Sequence, residues 1–193
     1  MKNHGCGQAS ILTDAEYSRL RRQLKTQKYK LLLDLAWYTG ERWGAIVQLQ
    51  VSDAYNSDGS PRDTITFRSS TRKRRPDGSR ETRQVPVHSV LSESLASYTP
   101  PGDSVWLFPS RDGEKSMTWR NAYDILQRAC EKAGFAAKGI STHSTRRSFI
   151  TKLHRNGTSV YTIKKITGHR DFKALERYID VDVDQIKGAI ATL

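Results

Sequence analysis

Cysteine is nearly missing from this chain, with only Cys6 and Cys130 among 193 residues. Two thiols so far apart make neither a disulfide framework nor a zinc cluster, and they suit a reducing compartment. Long apolar runs are missing too. No stretch approaches the roughly 18 residues that a membrane-spanning helix requires, and the opening Met-Lys-Asn-His-Gly-Cys lacks the apolar core of a secretory signal. These absences set the expectation of a cytoplasmic protein with no membrane partner. His4, His88 and His154 fall at no metal-ligand spacing, so no metal site is expected. The triplet His169-Arg170-Asp171 matches a kinase catalytic loop only superficially, because the chain has neither a glycine-rich phosphate loop nor Asp-Phe-Gly.

Acid is scarce relative to base: 20 Asp and Glu stand against 32 Lys and Arg, for a net charge of +12. That balance favours a polyanionic partner, since each neutralised phosphate releases counterions. Four Trp, eight Tyr and five Phe are too many for a disordered basic tail. The length fits one domain with a real core.

Residues 1–11 read as a loose arm. Thr13-Asp-Ala-Glu16 is a capping box, which predicts a helix to about residue 24. Residues 28–38 are apolar on most faces and predict a buried helix closed by Gly40, with another over 42–49. Thr64-Ile-Thr-Phe alternates as a strand, and Arg83-Gln-Val-Pro-Val resumes the pattern after a turn at Asp77-Gly78, which predicts a hairpin. A helix over 90–98, a short strand over 105–108 and a Thr118-capped helix to about 133 follow. Cys130 is expected to be buried on that last helix. Helices at about 143–155, 159–166, 172–180 and 183–191 complete the reading. Neither an internal repeat nor a linker is evident.

Chemistry concentrates late in the chain, in His143-Ser-Thr-Arg146, Gly168-His169 and Arg177-Tyr178, with Arg42 far upstream in Thr39-Gly-Glu-Arg42. His143 and Arg146, three apart, project from one helix face and can touch one phosphate. His169 follows a glycine stop, where a loop presents a side chain to a cleft. Tyrosine is a poor nucleophile at its ordinary pKa of about 10, so a reactive one needs cations and a proton-transfer group beside it. Each residue alone has a bland reading: an exposed His/Arg pair, a loop histidine, a core aromatic. Their joint pattern is what carries information.

That pattern resembles the catalytic domain of tyrosine recombinases, the phage-integrase family, with its H-x-x-R box, its G-H box and a tyrosine nine residues after the histidine, as His169 and Tyr178 are here. Thr39-Gly-x-Arg42, followed by Leu49 and Asp53, resembles the family's first arginine box, and the likeness runs from about residue 11 to 186. The resemblance implies an α+β fold: a mostly helical catalytic domain over 12–182 with a small antiparallel β-hairpin, and a tail helix over 183–193 that passes between protomers on DNA and packs on its own core without it. It implies that Tyr178 attacks a DNA phosphate to form a 3′-phosphotyrosyl link, while Arg42 and Arg146 grip the non-bridging oxygens. Lys73, the only lysine in the hairpin, would protonate the leaving oxygen; His143 would move the nucleophile's proton and His169 would hydrogen-bond the phosphate. No cofactor is implied. The implied partners are double-stranded DNA, further copies in a dimer or tetramer on it, and accessory DNA-bending proteins. Arg68, Arg72, Arg74, Arg75, Arg80, Arg83 and Arg147 are the expected backbone contacts, drawn mainly from a hairpin with seven basic residues and two acids over 68–83. A solvated basic loop is the competing reading of that hairpin. Arg19, Arg21, Arg22, Lys25, Lys28 and Lys30 form a second basic stretch, read equally as a DNA contact or a wet helix face.

Four departures from the family pattern stand out. Ala45 occupies the place of a buttressing carboxylate; Thr145 and Arg147 replace the leucine and histidine of H-x-L-R-H; Thr167 replaces the leucine of L-G-H; and the hairpin is long. Few residues precede the first helix, so the family's N-terminal clamp domain is not expected within this sequence, as in minimal invertases or a piece of a longer chain. Two further functions share this chemistry or fold: relaxation of supercoils by a type IB topoisomerase, which more often has lysine at the place of His143, and regulation of DNA without catalysis.

Overall fold

Thr13 and Glu16 start the first helix, α1 (Asp14–Gln23), by reciprocal capping: Thr13 Oγ1 accepts from the Glu16 amide and Glu16 Oε2 accepts from the Thr13 amide. Thr26 caps α2 (Gln27–Thr39), whose residues Leu31 to Ala36 are all buried. The structure is a computed structural model that describes residues 8–72, 78–169, 171–176, 178, 187–188 and 190–191. Its packing divides the chain into two units, residues 1–149 and 150–193, with the boundary inside one helix.

In the first unit α2 gives way at Gly40 to α3 (Trp43–Ile46). The helix expected over 42–49 is shorter, because its end tightens into i→i+3 turns, with Gln48 N–H donating to Ala45 O and Leu49 N–H to Ile46 O. The hairpin pairs β1 (Thr64–Phe67) antiparallel with β2 (Arg83–Pro86), in the register Ile65↔Val85 and Phe67↔Arg83. Gly78 takes φ +79° at the expected turn; Asp77 lies outside the described residues. His88 caps α4 (Ser89–Ala96), its Nδ1 accepting from Val90 N–H while its ring stacks on Tyr38. The expected strand over 105–108 is only an isolated Gln50↔Trp106 bridge. Its partner segment turns at once into a 3-10 turn at Val51–Asp53, so no ladder propagates.

Thr118 caps α5 (Trp119–Lys132), which buries Ala122, Ile125, Leu126, Ala129 and Cys130 at helical spacing. Burial, with Glu131 adding to it, pushes the Cys130 thiol up to about 12, so this cysteine is an inert core residue. α1 packs on α5 and α2 on α4. Their hydrophobic residues form one core running from Leu12 to Ile140. The arm expected over 1–11 is already tied down at Ala9, whose carbonyl accepts from Arg147, and at Ser10, whose amide donates to Gly139 O. The result is the α+β class expected: helices around a core, with one two-stranded sheet among the described residues. No described helix is long and apolar enough to cross a membrane.

α6 (Thr142–Arg155) crosses the unit boundary. In the second unit Ser159 caps α7 (Val160–Thr167), Gly168 ends it with φ 66°, and α8 (Lys173–Glu176) follows. Ile150, Ile163 and Leu175 are buried. The expected tail helix lies mostly outside the described residues.

Gly40 is the glycine on which the first unit most depends. Its φ is +58°, and a Cβ there would lie 2.3 Å from Phe149 Cδ1. Left-handed strain of roughly 1–2 kcal/mol and overpacking of about 1–3 kcal/mol both oppose Gly40→Ala. Thermal unfolding of that variant should therefore show a midpoint lower by roughly 10 °C. A change within 2 °C of zero would mean the turn relaxes freely.

Candidate active site: a cationic cleft and a histidine–tyrosine pair

The left-handed turn at Gly40 delivers Arg42 to the N-cap of α3 in extended backbone. Two bonds fix this corner against the first turns of α6. Arg146 Nη1 donates to the Gly40 carbonyl at 2.7 Å, and the Trp43 indole N–H donates to Thr145 Oγ1 at 3.1 Å. Thr145 thus supplies the acceptor a buried indole needs, which the leucine usual in the family would not. Arg42, His143 and Arg146 consequently line one cleft of about 320 Å³, together with Arg72 and the half-exposed Trp119. Arg146 is 2% exposed, whereas His143 is exposed at the rim. Among the described residues no hydrogen bond or ion pair takes up the Arg42 guanidinium. Such a cleft is built to hold an anion between two planar, permanently charged groups.

Beneath it lies a carboxylate absent from the predicted set. Glu41 is 1% exposed. Its Oε1 accepts from the Arg42 amide at 2.8 Å and faces Arg146 Nη1 at 3.8 Å; its Oε2 accepts from Arg83 Nη1 at 2.7 Å and lies 3.3 Å from Arg72 Nε. Burial alone would raise this carboxyl's pKa, but Arg83, Arg146, Arg72 and the Arg42 amide outweigh it and hold the group below its ordinary value. Glu41 is therefore ionised at neutral pH.

In the second unit the His169 and Tyr178 rings lie 5.8 Å apart, centroid to centroid. The Tyr178 carbonyl accepts from Thr151 Oγ1 at 3.0 Å, which moors the segment to α6. Thr167 Oγ1 donates to the Ile163 carbonyl at 2.6 Å and lies 2.6 Å from His169 Nδ1. With the hydroxyl proton directed at Ile163, Nδ1–H is the donor of the second contact. Thr167, a departure from the family pattern, is an orienting group for His169.

The arginines expected to contact DNA divide. Strand alternation puts Arg83 on the inward face with Val85, over the Phe67 ring, with Nη2 donating to Thr39 O at 2.8 Å. At 6% exposure and paired with Glu41, it serves the fold through these atoms. Arg147 donates to Ala9 O, and Arg68 Nη2 binds Gln48 O and Asp53, so both serve the fold through these atoms. Arg72 joins Glu41 to the Glu81 carbonyl, while Arg80 is exposed and bonds Ser70 O. Lys73, Arg74 and Arg75 lie outside the described residues. The second basic stretch is not a continuous wet face. Arg21 grips the buried Asp34 with two nitrogens, Arg19 lies over Phe135, and Lys28 donates to Pro109 O.

The fold is that of the tyrosine recombinase catalytic domain. It matches the crystal structure of XerA recombinase with a TM-score of 0.75 at 21% identity, over 95% of this chain and 65% of that one. It also matches the catalytic domain of bacteriophage HP1 integrase, with a TM-score of 0.63 at 20% identity over 95% of each chain. The chain belongs to the phage integrase family, whose sequence pattern matches residues 10–185. Among curated relatives, tyrosine recombinase XerD of Caulobacter vibrioides is 32% identical over 108 residues, covering 55% of this chain and 35% of that protein. XerD of Corynebacterium glutamicum is 27% identical over 158 residues, 82% of this chain and 50% of that protein. The chain thus spans about a third to a half of the length of these relatives.

Proposed function

We propose that this chain is the catalytic part of a site-specific DNA recombinase that cuts and rejoins strands through a phosphotyrosine. The observation that carries the reading is the convergence of Arg42, His143 and Arg146 on one cleft. Two guanidiniums stabilise the charge that grows on the non-bridging oxygens as phosphorus becomes five-coordinate. The oxygen of Tyr178 forms the new bond to phosphorus as the bond to the 5′-oxygen breaks, giving a 3′-phosphotyrosyl link and a 5′-hydroxyl. Lys73 gives the leaving oxygen its proton, and His143 takes the proton of the tyrosine. His169, held by Thr167, hydrogen-bonds a phosphate oxygen. Rejoining reverses these steps, and the phosphotyrosine keeps the bond energy, so the sequence of steps uses no metal or nucleotide. Double-stranded DNA is the substrate, and a dimer or tetramer on it is the working form.

The test is a nicked suicide duplex carrying junction DNA of the source element. A covalent protein–DNA adduct that survives SDS is the expected result, with light scattering giving the size of the complex before denaturation. DNA binding without any adduct, across many junction sequences, would favour a non-catalytic regulator instead. Relaxation of plasmids bearing no particular site would favour the topoisomerase.

A further inference from the structure

We propose that Glu41 is the positioning residue of this centre, a carboxylate displaced to the other side of the first arginine that ties Arg146 and the hairpin to one anchor. The inference rests on the strand-cleavage reading above. Ala45 stands at the place of the acid in the family pattern that the sequence resembles, and its methyl group can accept no hydrogen bond. Glu41 lines the same cleft as Ala45. Positions 41 and 45 therefore border one cleft, and an acid returned at 45 tests whether it can take over the role of Glu41.

The two oxygens of Glu41 divide the work. Oε1 addresses the arginine corner, through the Arg42 amide at 2.8 Å and Arg146 Nη1 at 3.8 Å. Oε2 addresses the hairpin, through Arg83 at 2.7 Å on β2 and Arg72 at 3.3 Å after β1. Arg72 directly precedes Lys73, the candidate general acid. One buried anion thereby ties the groups that hold the phosphate to both limbs of the hairpin. Without it, three guanidiniums would crowd a pocket of low dielectric with no charge between them, and like charges there repel strongly. Glu41→Gln keeps the shape and removes only the charge, so it isolates this effect.

The experiment compares wild type, Glu41→Gln, Glu41→Asp and the double variant Glu41→Gln/Ala45→Glu. Two quantities are read: the adduct-forming rate on saturating suicide duplex, and duplex affinity by fluorescence anisotropy. Misplacement of catalytic groups by about 1 Å costs about 100-fold in rate, so Glu41→Gln should lose about that much with affinity changed less than about threefold. Glu41→Asp should fall between. Returning an acid at 45 should restore at least about tenfold, a rescue that a purely structural role for Glu41 would not give. A readout free of catalysis is trypsin cleavage after Arg83, which is buried in the wild type and should become about tenfold faster in Glu41→Gln. If Glu41→Gln forms adduct at the wild-type rate, or Arg83 stays protected, the proposal is overturned. If the wild type itself forms no adduct, the strand-cleavage reading fails, and Arg83 protection alone decides whether Glu41 anchors the hairpin.

Discussion

Tyr178→Phe should form no detectable adduct with a suicide duplex while binding that duplex within about twofold of the wild-type affinity and unfolding at nearly the same temperature. Three other tyrosines in this chain would not behave so cleanly. The Tyr17 hydroxyl donates to the buried Asp34, the Tyr55 hydroxyl to Leu95 O and the Tyr98 hydroxyl to Leu107 O. Burial raises the pKa of all three, with Asp34 adding to the effect at Tyr17. A hydroxyl tied into the fold and made less acidic is a worse nucleophile, and its removal leaves a buried acceptor unsatisfied. Tyr178 is attached differently. Its described attachments are its backbone, which donates to Leu175 O and accepts from Thr151, and the ring beside His169, all of which phenylalanine keeps. Among the described residues its hydroxyl makes no hydrogen bond. Deleting one oxygen then removes the bond-forming atom and little else, so the loss should be complete in cleavage and small, within about 0.5 kcal/mol, in stability. Adduct formation by Tyr178→Phe at more than a hundredth of the wild-type rate would place the nucleophile elsewhere. Tyr161, 75% exposed in the same unit, would be examined first.

The elements were legible where local chemistry decides them. Thr13 and Glu16, Thr26, Thr118 and Ser159 cap helices through side-chain oxygens, and Gly40 and Gly168 end them through a left-handed turn. The order and spacing of the boxes likewise announced Arg42, His143 and Arg146 as neighbours, although more than a hundred residues separate the first from the others.

The charged interior was not legible in the same way. Seven basic residues in a row of sixteen read as one set of DNA-backbone contacts, yet a strand alternates faces, and Arg83 shares its face with Val85. The period-2 pattern held that information, but a buried arginine is so rare without a partner that composition overrode it. Its partner, Glu41, reads from the sequence only as a variable letter inside Thr39-Gly-x-Arg42. The signal available was Glu41 itself, four residues before the Ala45 departure, and it becomes meaningful once both positions are seen to line one cleft. Arg147 carries a second contact of this kind. Directly after the H-x-x-R box, its Nη1 holds the carbonyl of Ala9, a long-range contact that no local pattern encodes.

The second large effect separates the two arginines of the cleft. Arg146→Ala should reduce the adduct-forming rate by about 10³- to 10⁴-fold, or about 4–5.5 kcal/mol of transition-state stabilisation, and should also destabilise the protein measurably. Arg42→Ala should lose cleavage on a similar scale with stability nearly unchanged. The difference follows from how each guanidinium is held. Arg146 is 2% exposed, donates to the Gly40 carbonyl and faces Glu41, so its removal strips the Gly40 turn of a buried donor and leaves a void against the corner. Denaturant unfolding should register that as roughly 2–3 kcal/mol. Arg42 is partly exposed and engages no described partner through its side chain, so nothing in the fold waits on it. Arg146→Lys is the sharper variant. It keeps the charge, but a single ammonium on a flexible stem cannot bind the Gly40 carbonyl and present two parallel donors to a phosphate at once. Cleavage should therefore fall nearly as far as in the alanine variant while much of the stability returns. Equal cleavage by Arg146→Lys and wild type would show that charge alone suffices and that the planar fork of this arginine has no part in the reaction.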